Sequence, residues 1–242
     1  WTPIFEGGGQ YVFTNPASLI YYGILGVLCG LIGILYVKSF YGTKALFDKL
    51  QIPNIFKPAI GGLLLGIIAI FTPHVLGTGY GWLQKVILGD FTAIPPLIVF
   101  ALIFLKIIAT SLTVGSGGSG GVFAPALTIG GMTGAAMWLL FKWLGIIPEV
   151  SPAPYVIVGM MAFFGGVGKV PIATILMVSE MTGTYNLIVP SMLSTAIAYV
   201  ITGRTTIYAS QVTTRAESPA HATEYTVPLL LRIKVRDAMT KN

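Results

Sequence analysis

Gly115-Ser116-Gly117-Gly118-Ser119-Gly120-Gly121-Val122-Phe123-Ala124-Pro125 lies near the middle of the chain, between two long apolar segments. Five of its first seven residues are glycine, so backbone N–H groups can approach a ligand with no Cβ in the way. Pro125 then opens an apolar run that continues to about Trp143. Proline suits the first turn of a helix, where its missing N–H costs nothing. The stretch reads as a glycine loop feeding a helix N-terminus, with the amides of Val122 and Phe123 unpaired. Such a terminus carries partial positive charge and holds anions through N–H groups, with no lysine or arginine needed. Glycine and serine also make flexible linkers. A linker joins polar-ended domains, whereas this loop joins segments at membrane depth, where irregular backbone must line a protein or water-filled cavity. A phosphate-binding P-loop is excluded, because no Gly-Lys-Ser/Thr follows the glycines.

The composition sets the environment. Of 242 residues, 55% are hydrophobic and 9% charged, against about 25% charged in a soluble domain, so the chain reads as an all-α polytopic membrane protein in a lipid bilayer. Its net charge of +6 includes Arg232, Lys234, Arg236 and Lys241 near the C-terminus. The positive-inside tendency puts that tail in the cytoplasm. No aromatic–basic patch points to nucleic acid. The single Cys29 excludes a disulfide framework and a cysteine metal site. Residue 1 is tryptophan and no signal peptide is visible, so the chain is expected to begin inside a longer protein.

Residues 1–16 form a Gly- and Pro-punctuated loop with Trp1, Tyr11 and Phe13 suited to the headgroup level. Residues 17–40 make the first span, and Gly23, Gly26, Gly30 and Gly33 give it a smooth packing face. Residues 43–50 read as a separate amphipathic segment with Lys44, Asp48 and Lys49. A second apolar segment, 58–71, stops at Thr72-Pro73-His74, and His74 reads as a capped or interfacial residue. Residues 82–88 are too short to span. Residues 96–114 span fully, with Lys106 inside, for which a structural pairing is preferred over a transport role. After the central loop come a span at 124–143, a segment opening at 151–154, and three short units at 170–181, 185–202 and 206–212. Short segments interrupted by glycine and proline indicate discontinuous helices of the kind that build mid-depth sites in transporters. Glu180 reads as a buried glutamate one turn from a helix end, with a structural hydrogen bond as probable as a functional role.

Taken together, these residues resemble the CLC family of chloride channels and proton–chloride exchangers. Gly121-Val122-Phe123-Ala124-Pro125 is similar to that family's Gly-x-Phe-x-Pro motif, whose amides bind chloride. Gly168-Lys169-Val170-Pro171-Ile172 and Glu180-Met181-Thr182-Gly183-Thr184-Tyr185 resemble its next two landmarks. Tyr208 matches the tyrosine whose hydroxyl contacts the same anion. Val235-Arg236-Asp237-Ala238-Met239-Thr240 resembles the opening of a CBS domain. The family's Gly-Ser-Gly-x-Pro loop and the loop with its gating glutamate are absent.

The resemblance therefore implies the second of two inverted-topology repeats, with a terminal helix carrying Tyr208. Residues 17–213 would be this membrane half, and 214–242 a linker with a truncated CBS domain. The implied function is transport of chloride or a similar small anion, as channel or exchanger. The anion is the substrate, and no other cofactor is implied. Gly121, Val122, Phe123, Ala124 and Tyr208 would form half of its site. The implied partners are a second copy in a homodimer, meeting through residues 172–181 and 187–201, and the N-terminal half of the same protein. That half would also meet helix faces such as the Gly23–Gly33 stripe. A non-conducting assembly or scaffold subunit is the alternative. An enzyme is not expected, since no Ser–His or paired-Asp arrangement is visible.

Overall fold

A computed structural model describes residues 2–7, 11, 13, 15–146, 151–212 and 214–221. The proposed CBS motif, the basic tail and Trp1 lie outside the described residues. The chain divides into two compact units, residues 1–207 and 208–242.

In the first unit eight α-helices follow one another among the described residues. A 3-10 turn, Pro16–Ser18, starts on the Asn15 side chain, which accepts the Ala17 amide at 3.0 Å. Helix α1, Leu19–Lys49, continues from it for 31 residues. The amphipathic piece expected at 43–50 is thus the end of α1 and not a separate element. Only Tyr41 and Gly42 separate the two stretches, and one glycine costs a helix only about 1 kcal/mol. Helix α2, Lys57–Phe71, carries Pro58 in its first turn. Then come α3, Tyr80–Ile87, and α4, Pro96–Gly115. Helix α5, Phe123–Trp143, is followed by three shorter ones: α6, Ala153–Gly168, α7, Pro171–Thr182, and α8, Ile188–Thr202.

Helix α6 is the centre of the unit. All sixteen of its residues are buried, and α1, α5, α7 and α8 pack around it. A helix apolar on every side has no solvent face, so burial throughout is its stable place. Against α5 the approach is backbone to backbone: a Cβ on Gly130 would strike the Gly159 carbonyl, and one on Gly159 the Gly130 carbonyl.

The glycine face of α1 does serve packing, but within this chain. Gly23 and Gly26 lie against Ile197 and Ser194, Gly30 against Ile201, and Gly33 against Val167 and Thr202. The stripe is filled by α8 and the end of α6, so it is not a bare surface for another repeat. The outward faces hold exposed apolar residues instead, among them Leu63, Ile70, Phe71, Leu97 and Phe104. Among the described residues, four helices are long and apolar enough to cross a membrane: Pro16–Lys49, Asn54–Phe71, Pro96–Gly115 and Phe123–Trp143.

No helix forms over 206–212, so the terminal helix expected around Tyr208 is absent. The reason is local competition for backbone groups. The Ile207 amide donates to the Val167 carbonyl at 2.9 Å, and the Ile207 carbonyl accepts the Tyr41 hydroxyl at 2.8 Å. Tertiary partners take the groups that a helix would need.

Candidate anion-binding site

Helix α4 ends where the glycines begin. Gly117 takes φ 94°, a left-handed conformation open to glycine. The amides of Gly117 and Gly118 then close on the carbonyls of Val114 and Thr113, at 3.0 and 3.1 Å. The chain returns through Ser119–Gly121 and starts α5 at Phe123, with Val122 as its N-cap and no side chain capping it. Pro125 occupies the third helical position. Among the described residues, the amides of Val122, Phe123 and Ala124 donate to no acceptor. Three free donors at the start of a 21-residue helix, with the positive end of the helix dipole behind them, are a cradle that can accept an anion.

Side chains that the sequence reading had not singled out hold this terminus in place. The Tyr36 hydroxyl donates to the Val122 carbonyl at 3.3 Å, and the Ala126 amide donates to the same oxygen at 3.2 Å. Phe123 stands edge-on to Phe164 of α6, with ring centroids 4.8 Å apart. Thr128 donates to the Thr78 carbonyl at 2.8 Å, pinning the α2–α3 loop to the second turn of α5. The signal for Tyr36 lay one turn past Gly33, on the face where α1 packs closest.

A cavity of about 550 Å³ opens at the terminus, lined by Gly120, Gly121, Phe123, Ala124, Thr110 and Lys106 among others. Lys106 is 2% exposed. Its ammonium donates to the carbonyls of Val75 and Gly77, at 2.8 and 2.6 Å. The structural pairing expected for Lys106 is present, with loop carbonyls as the partners. An ammonium has three donors, and this one also lines the cavity, so its charge adds to the positive end of α5.

Tyr208 opens the second unit, exposed, in a turn whose Gln211 amide donates to the Tyr208 carbonyl at 2.9 Å. His74 lies in the 3-10 turn Pro73–Val75, its ring 4.3 Å from that of Trp82, as suits a residue at a helix break. Glu180 is exposed on α7, not buried as the sequence suggested, and shares that outer face with Ile172, Leu176 and Met177.

The family model described as voltage gated chloride channel matches residues 2–203. The chain belongs to this family. A putative ClcB-like chloride channel protein of Ralstonia nicotianae is 34% identical over 209 residues, covering 83% of this chain and 47% of the relative. A voltage-gated ClC-type chloride channel, ClcB, of Escherichia coli is 35% identical over 181 residues, covering 73% and 41%. The crystal structure of a slow cyanobacterial Cl⁻/H⁺ antiporter superposes with a TM-score of 0.68 at 27% identity, over 84% of this chain and 47% of the other. A CLC-type fluoride/proton antiporter gives the same TM-score at 22% identity, which bears on the fold alone, over 83% and 48%. The chain spans somewhat less than half the length of these two curated relatives. The family and the apolar helices together make it an integral membrane protein.

Proposed function

We propose that the complete CLC protein containing this chain transports chloride or a similar small anion, and that the anion is held at the start of α5. The observation that carries this reading is the set of free amides at Val122, Phe123 and Ala124, opening on the cavity that Lys106 lines. Gly121 lets the anion approach closely, and the Tyr208 hydroxyl is a further donor on the strength of the family motif. Binding through neutral amides suits transport, because an ion must leave as readily as it enters. Channel and exchanger share this cradle, and both remain within the reading. The similarity to the cyanobacterial antiporter structure favours exchange with protons.

The cradle meets only one side of an ion. We propose that the N-terminal half of the protein supplies the donors on the other side, and that two copies assemble with the tail in the cytoplasm. An ion left facing lipid on one side would cost several kcal/mol in lost polar contacts. The test is chloride efflux from liposomes with a potassium ionophore clamping the voltage. The complete protein should release chloride, while the 242-residue chain alone should not. Robust efflux from the chain alone would refute the half-site, and silence from the complete protein would favour the scaffold reading.

A further inference from the structure

A second cavity, of about 470 Å³, lies where α1 ends, α2 begins and α4 ends. Its polar lining comes from Lys44 and Asp48 of α1, Asn54 and Lys57 before and in α2, and Ser116 and Gly117 after α4. Lys57 is 8% exposed and makes no hydrogen bond or ion pair among the described residues. The other withdrawn lysines are partnered. Lys106 holds two carbonyls. Lys169 donates to Thr202 at 2.6 Å and lies over the Tyr199 ring. The Lys57 ammonium, with three donors and no protein partner among the described residues, is free to meet a ligand in the cavity.

Neighbouring groups do not satisfy it. The Thr113 and Val114 carbonyls at the end of α4 already accept the amides of Gly117 and Gly118 and the Ser116 hydroxyl. Asp48 shares the cavity without forming an ion pair with Lys44 or Lys57. Two lysines against one aspartate leave the lining net positive.

Its level in the membrane narrows the ligand. At 1.5 Å per residue α1 is about 46 Å long, more than the roughly 30 Å of hydrocarbon, so its last turns emerge from it. The α2 span begins at Asn54, so the cavity sits at the headgroup boundary. Leu46, Ile55 and Phe56 stand exposed on the same α1 and α2 ends, where they can meet acyl chains while the lysines meet a headgroup. Basic pockets between membrane helices suit anionic headgroups for this reason.

We propose that this cavity is a phosphate-binding site, with Lys57 as its principal cation and Lys44 as a second, filled by an anionic phospholipid headgroup or by inorganic phosphate. The complete protein, purified in detergent and stripped of lipid, is titrated with short-chain phosphatidic acid, with short-chain phosphatidylcholine and with inorganic phosphate. Native mass spectrometry reads retained ligand, and the thermal midpoint reads stabilisation. Phosphatidic acid should bind, Lys57→Gln should weaken it about tenfold or more, and Lys57→Arg should keep it. Lys44→Gln, at an exposed side chain that folding does not depend on, should weaken it by about two- to fivefold. Binding of phosphatidic acid without inorganic phosphate identifies a headgroup site. Comparable binding of both identifies a site for free phosphate. The proposal is overturned if neither binds, if phosphatidylcholine binds as well as phosphatidic acid, or if Lys44→Gln and a folded Lys57→Gln both keep the native affinity.

Discussion

Replacing residue 122 by its α-hydroxy analogue removes one amide N–H and leaves the valine side chain intact. The exchange turns the 121–122 peptide into an ester, which also weakens the Gly121 carbonyl as an acceptor. In this helix that costs little, because the residue four positions on is Pro125, which has no N–H to donate. The Val122 carbonyl, which serves Ala126 and Tyr36, is untouched. What is lost is one donor to the anion. A hydrogen bond to a charged group contributes about 1.5–3 kcal/mol, so chloride affinity should fall about ten- to hundredfold. Calorimetric chloride titration of the complete protein measures it. The same exchange at Ala126 removes its bond to the Val122 carbonyl, at 3.2 Å. It should lower the thermal midpoint and leave affinity within about threefold. If residue 122 gives native affinity, or the two positions behave alike, the Val122 amide is not an anion donor.

Two other outcomes follow from the same arrangement. Tyr208→Phe in the complete protein should weaken chloride binding about tenfold without unfolding it, and unchanged affinity in the same titration would remove Tyr208 from the site. For the proposed homodimer, Ile188 is half-buried while Val189 and Met192 of α8 are exposed. Cysteines at Val189 or Met192 should therefore cross-link two copies in membranes, and failure across an array of α7 and α8 positions would exclude this interface.

The cradle itself was legible because its causes are local. A run of glycines permits the return from α4, and Pro125 fixes where α5 can start, so no distant contact was needed to expect free amides at Val122 and Phe123. Helices α4 and α5 were equally plain, since their apolar runs are bounded by proline and glycine. What the sequence did not reveal depends on distant partners. Tyr36 reaches Val122 from 86 residues away, and Lys106 finds its carbonyls on the α2–α3 loop. The helix expected near Tyr208 fails because Val167 and Tyr41 claim the backbone of Ile207. The α1 glycine stripe read correctly as a packing face, but periodicity gives a face and not its partner, which proved to be mainly α8.

Outside the membrane spans, Asp90 shows the same dependence on near neighbours. The Thr92 hydroxyl, the Ala93 amide and Lys85 hold its carboxyl below the usual carboxylate range. That local order sets the turn leading into α4.

The most direct test of the cradle is anomalous scattering from crystals of the complete protein grown in bromide. An ion should appear within hydrogen-bonding distance of the Val122 and Phe123 amides, on the axis of α5. Bromide found at other positions while the start of α5 stays empty, or those amides found donating to protein carbonyls, would contradict the account.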